Sequence, residues 1–146
     1  AAIAVHSGLA CGAARDMPSA FAAMRQGAPA ARRVAGGVPT IVFHGDRDTT
    51  VHPANAADVI AQQRPEQGLR TEVVKGASAG GMTFTRIVQS DASGKSFLEQ
   101  WELHGASHAW SGGSSAGSYT DPRGPDASRE MMRFFLQHAK TSAPVA

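Results

Sequence analysis

The chain has 146 residues, 42% of them apolar, but 27 are alanine, which leaves a thin set of larger side chains for one core. Fourteen Lys and Arg against twelve Asp and Glu give a formal charge of +2, which excludes a disordered polyelectrolyte and lacks the footprint of a nucleic-acid binder, even with a pI near 9.1. No apolar run approaches the roughly 20 residues of a membrane span, and the single Cys11 excludes an internal disulfide framework and a cysteine-based zinc site.

Ala1–His6 is short, apolar and partly β-branched, and it stops at Ser7-Gly8, which predicts a buried strand. Asp16, Pro18 and Gly27 punctuate an alanine-rich helix over Ser19–Gln26. Residues 28–38, with Pro29 and two glycines, read as a loop. A second apolar strand covers Pro39–His44 and ends at Gly45. Pro53 opens a second helix that runs to about Arg64, and Arg70–Val74 predicts a third strand.

Met82–Gln89 alternates in character, Ser90–Gly94 is a turn, and Phe97–Leu103 completes a β-hairpin. Gly105–Gly124 is glycine- and serine-rich and reads as a loop. The last helix is expected from about Asp126 to Lys140, with Met131, Phe134, Phe135 and His138 on one face. Residues 1–140 then form part of one domain, and Thr141–Ala146 reads as a frayed tail.

Strand, helix, strand, helix, strand, at about 30 residues per unit, predicts an α/β fold with a mostly parallel sheet, flanking helices and the hairpin. Ligands bind such sheets beyond the carboxyl ends of the strands. Two segments lie there: His44-Gly45-Asp46-Arg47-Asp48-Thr49-Thr50-Val51-His52-Pro53 and His104-Gly105-Ala106-Ser107-His108-Ala109-Trp110-Ser111-Gly112-Gly113. The first offers a carboxylate and the second an imidazole.

That pair has a mechanistic meaning. In a Ser–His–acid triad the carboxylate sets the imidazole tautomer, and the imidazole takes the proton of the attacking hydroxyl. Asp48 and His108 are the candidate acid and base; turn and capping roles remain open for both. Trp110 is either an apolar wall of the pocket or a cover over the core. His44, Asp46, Asp48 and His52 carry a competing reading, nitrogen and oxygen ligands of a metal ion. A third class is a non-catalytic or proteolytic fragment that binds partners. No cofactor is expected for the triad reading.

Several segments together resemble the polyhydroxybutyrate-depolymerase-type esterases, a branch of the α/β-hydrolases. They are His6-Ser7-Gly8 with Gly12-Ala13-Ala14, Ala23–Gly27, Pro39–Val51, Gly80–Thr85, Gly105–Gly113 and Asp126–Phe135. The resemblance implies the carboxyl-terminal part of an α/β-hydrolase sheet, with Asp48 as triad acid and His108 as triad base. It implies a carboxylic ester substrate, of polyhydroxyalkanoate or plant-wall type, and an extracellular or periplasmic location. Position 107, here Ser107, is more often Gly in the family.

The family's nucleophile lies in Gly-x-Ser-x-Gly, upstream of the strand that corresponds to Ala1–His6. The string Gly76-Ala77-Ser78-Ala79-Gly80 matches that spelling, but the residues after it alternate like a strand, whereas a nucleophile elbow runs straight into a helix. Ser7 lacks a glycine two positions earlier and is expected to line a pocket or cap. The nucleophile is therefore expected upstream of Ala1, and these 146 residues alone to be inactive. The abrupt apolar start, without Met or signal peptide, fits a piece of something longer. An exposed first strand is a template for pairing, so Ala1–His6 is expected to meet a missing amino-terminal half or a second copy. Cys11 is either left from a pair with that half or a small buried hydrophobe.

Overall fold

In the computed structural model, which describes residues 1–28, 33–66 and 68–139, the first strand is β1 (Ile3–His6). Asp16 caps α1 (Met17–Gln26), accepting the Ser19 N–H at 2.9 Å while the Ser19 hydroxyl accepts the Asp16 N–H at 3.1 Å. This reciprocal box satisfies donors that a helix start otherwise leaves unpaired. It begins the helix at Met17 rather than Ser19. Cys11 is exposed, against the buried alternative.

β2 (Thr40–Gly45) is buried along its whole length. α2 (Ala54–Gln63) follows Pro53 and packs Ala56, Val59 and Ile60 against Val42 and Leu98. Three long strands follow, β3 (Arg70–Ala77), β4 (Thr83–Ser90) and β5 (Ser96–Leu103). The predicted hairpin is β4 with β5. α3 (Ala127–Gln137) is capped by Asp126, which accepts the Arg129 N–H at 3.0 Å. Ala127, Met131 and Phe134 of α3 join Ile41, Phe43, Trp101 and Leu103 in the main core. The His138 ring lies tilted against Phe134, with centroids 4.6 Å apart, on the predicted face, whereas Phe135 turns outward. Residues 29–32 of the predicted loop, Lys140 and the predicted tail lie outside the described residues.

The five-stranded sheet has the order β1-β2-β5-β4-β3. β1–β2 and β2–β5 are parallel; β5–β4 and β4–β3 are antiparallel. The expected mostly parallel α/β-hydrolase sheet is thus overturned: the sheet is mixed, and its longer ladders are the antiparallel ones. A separate parallel pair, β6 (Trp110–Ser111) with β7 (Thr120–Asp121), lies within the segment expected as loop.

The misplaced element is Arg70–Val74. A strand between parallel neighbours is buried on both faces and reads as a near-continuous apolar run. Arg70, Glu72 and Lys75 break any such run, and β3 lies exposed at the far edge, antiparallel to β4. The place beside β2 goes to β5, which buries Leu98, Trp101 and Leu103.

β5 also buries a carboxylate. Glu99 is fully enclosed and accepts from Arg86 Nη2 at 2.9 Å, Arg133 Nη2 at 2.7 Å and Ser96 Oγ at 2.8 Å. Burial pushes the Glu99 pKa up, but the Arg133, Arg86 and Ser96 contacts outweigh it and hold it below the ordinary value. The cluster ties β4, β5 and α3 together. Among the described residues no helix is long and apolar enough to cross a membrane.

Candidate active site

β2 and β5 are parallel neighbours with Gly45 opposite Leu103, so the loops leaving their carboxyl ends start side by side. Backbone bonds join them at once: the Asp46 N–H donates to the Leu103 carbonyl at 3.0 Å and the Arg47 N–H to the Ala106 carbonyl at 3.1 Å. A Cβ on Gly45 would fall on the Ala106 carbonyl, 2.7 Å from its carbon. Only glycine permits this approach. On the opposing loop, Gly105 turns the chain with φ +77.

These loops bring Asp48 and His108 together. Asp48 Oδ1 accepts the N–H groups of Thr50 and Val51 at 2.9 and 2.8 Å. Its Oδ2 lies 2.7 Å from His108 Nδ1. An ionised carboxylate only accepts, so His108 carries its proton on Nδ1 and leaves Nε2 as a base. Asp48 is buried, and burial alone raises its pKa. The bonds from Val51, His108 and Thr50 prevail and hold it below the ordinary carboxylate value. Behind it, buried His44 donates Nε2–H to the Val51 carbonyl at 2.8 Å and braces the same turn. Burial lowers the His44 pKa, opposed by the Val51 carbonyl and Asp48.

His108 opens onto a cavity of about 360 Å³ lined also by His6, Ser7, Ala109, Trp110 and Tyr119. The Trp110 ring stacks on His6 with centroids 4.7 Å apart, and its Nε1–H donates to Ser128 Oγ at 3.1 Å. Trp110 thus lines the cavity while being tethered to α3. His6 also stacks on Phe43 at 6.0 Å. Burial, with His44 and His108 nearby, lowers the His6 pKa to about 4, partly opposed by Asp48. His6 is neutral in this setting.

The other sequence candidates lie elsewhere. Asp46 faces His104, with Oδ2 3.1 Å from Nδ1, and accepts the Gly105 N–H at 2.7 Å. His52 Nδ1 accepts the Ala54 N–H at 3.2 Å. The quartet His44, Asp46, Asp48 and His52 therefore does not converge. Among the described residues, the acids and histidines with donor atoms close enough for one ion are Asp46, Glu102 and His104, with Asp46 and Glu102 exposed and His104 half-buried. Ser78 donates to the Arg123 carbonyl and accepts the Met82 N–H at 3.2 Å, inside a turn that leads into β4 rather than a helix. Ser7 lines the cavity, as a strand-end serine was expected to.

His6 and Tyr119 were not singled out from sequence as cavity residues. His6 carried a readable signal, a polar residue at the carboxyl end of a strand parallel to the one preceding Asp48. Tyr119 sits in a glycine- and serine-rich stretch and carried none. Comparison with protein-family models finds no match, and comparison with curated proteins finds none either.

Proposed function

We propose that this chain contributes the acid and the base of a Ser–His–Asp triad to a serine-type hydrolase of carboxylic esters. The observation that carries the reading is the 2.7 Å contact between Asp48 Oδ2 and His108 Nδ1 at the mouth of a cavity. His108 Nε2 takes the proton of the attacking serine hydroxyl as its oxygen bonds the ester carbonyl carbon. It returns that proton to the alcohol oxygen as the carbon–oxygen bond breaks. Water then attacks the acyl-enzyme by the same relay and frees the acid. Asp48 stays ionised throughout and stabilises the imidazolium.

Among the described residues no serine hydroxyl is bonded to His108. In this reading the nucleophile and much of the oxyanion hole come from an upstream part of the parent protein. The motif likeness to polyhydroxybutyrate-depolymerase-type esterases favours polyhydroxyalkanoate or plant-wall esters as substrates and an extracellular or periplasmic location; the mixed sheet adds nothing to that likeness. Among the described residues β1 has one unpaired edge, and in this reading a second segment or a second copy covers it.

The test is His108→Ala in the full-length parent protein, assayed on a chromogenic ester. Hydrolysis should disappear, and near-normal turnover would remove the assignment. A second reading, a non-catalytic binding piece, is favoured by the open edges of β1 and β3. The same assay separates them, since that reading requires the unsubstituted parent to hydrolyse nothing.

A further inference from the structure

We infer that Ser7 is a binding residue of this site: its hydroxyl donates to an oxygen in the acyl chain of the bound ester, and His6 holds it in that role. The inference rests on the esterase reading and adds to it the residue that recognises a second acceptor oxygen in the acyl group, such as the one a hydroxyalkanoyl chain carries.

The tautomer of His6 is the starting point. His6 Nε2 accepts the Ser111 N–H at 3.0 Å. A neutral imidazole that accepts at one nitrogen carries its proton on the other. That proton, on Nδ1, points at Ser7 Oγ, 3.1 Å away. Ser7 Oγ is thus an acceptor from His6, and its own O–H has no acceptor among the described residues. The Ser7 N–H is already committed to the Phe43 carbonyl at 2.9 Å, so the hydroxyl is the group left to serve a ligand. Ser7 is also the one described non-glycine residue with positive φ, at +50, a backbone conformation that places its side chain at the cavity.

Depth assigns the partner. Of these two cavity residues His108 is exposed, at the mouth, whereas Ser7 is buried, at the floor. Chemistry at His108 therefore takes place above Ser7. The acyl chain enters the cavity that His6, Ser7 and Trp110 line, and the alcohol leaves on the side of His108 away from Ser7. An acyl oxygen on the floor meets the free O–H of Ser7. A nucleophilic role fits less well: no bond joins Ser7 Oγ to His108, and the proton offered by His6 draws electron density away from that oxygen.

The experiment compares two esters of like length in the full-length parent, p-nitrophenyl methoxyacetate and p-nitrophenyl butyrate. Ser7→Ala should lower the kcat/KM ratio of the first to the second about tenfold, mainly through KM, the loss of one neutral hydrogen bond. Ser7→Gly removes the hydroxyl while relieving the positive-φ backbone, and should shift the ratio equally. His6→Phe keeps a ring against Trp110 but removes the aiming proton, and should shift the ratio in the same direction. An unchanged ratio in Ser7→Ala overturns the inference, and so does equal loss on both esters. Failure of the unsubstituted parent to hydrolyse either ester overturns the esterase reading itself.

Discussion

Asp48 Oδ2 accepts the Nδ1–H of His108 at 2.7 Å, across 60 positions of the chain. The other carboxylate oxygen is pinned by the Thr50 and Val51 N–H groups, so the carboxylate cannot rotate away. In Asp48→Asn the amide oxygen takes those two N–H groups and the amide NH₂ faces His108. It can only donate, which forces the His108 proton onto Nε2 and removes the base. The kcat of the parent protein on a chromogenic ester should fall about 10⁴-fold. A loss smaller than tenfold would show that the tautomer does not limit the reaction.

Gly45 holds the two loops together by having no side chain. In Gly45→Ala the new Cβ meets the Ala106 carbonyl, a backbone group that cannot swing aside. Overpacking of this kind costs about 1–3 kcal/mol. The urea midpoint should drop accordingly, and ester hydrolysis should fall with it as Asp48 and His108 move apart. A variant with an unchanged midpoint would mean that the loops separate freely.

Stability should depend on pH through the histidines. Burial lowers the His6 pKa from 6.5 to about 4, and burial lowers His44 as well. The unfolded chain then binds more protons than the folded one between those values, so stability rises with pH across the window. His6 alone accounts for on the order of 3 kcal/mol. Asp48 and Glu99 act lower: with folded pKa values below 3.8 and 4.5, their contributions are present above those values and vanish in stronger acid. Urea midpoints should climb from about pH 4 to 6.5 and then level, with a shallower climb in His6→Phe. A midpoint that declines across that window contradicts the assignment.

Glu99→Gln should destabilise the fold by about 1–3 kcal/mol, because it leaves two half-buried arginines without their shared anion. Arg133 would keep its 2.7 Å contact to Glu130, but the link from α3 to β5 would weaken. Equilibrium urea unfolding measures this directly. A loss under about 1 kcal/mol would show that the guanidinium groups reach solvent instead.

Among the described residues the sheet has two open edges: β3 carries Arg70, Glu72 and Lys75, charges that discourage pairing, whereas Ile3, Ala4 and Val5 of β1 carry none. The 15.1 kDa chain should therefore sediment as a larger species, and Ile3→Lys should return it to monomer. A single monomeric boundary at all concentrations would count against β1 as an interface.

Much of the local structure was legible because it depends on neighbours in the chain. Asp16 with Ser19, Asp126 with Arg129, and the glycines after His44 and His104 act within a few residues of themselves. The segments holding Asp48 and His108 were legible as strand-end loops for the same reason. Arg70–Val74 was misplaced because a strand's partner is not a local property. The order strand, helix, strand predicted a mostly parallel sheet, whereas this charged strand lies at the edge, antiparallel to β4, and β5 is the parallel neighbour of β2.

By itself, then, the sequence determined the three helices and the five longer strands, though not the short pair β6 and β7, where a carboxylate and an imidazole follow strands, and that no cysteine framework supports the fold. Tertiary structure alone decided that the sheet is mixed, that Glu99 is the buried anion between two arginines, and that His6 turns its proton toward Ser7. The physical reason is range. Capping, turns and periodicity are set by contacts a few residues apart, whereas strand order, burial of charge and the tautomer of a histidine are set by groups that meet only once the chain has closed on itself.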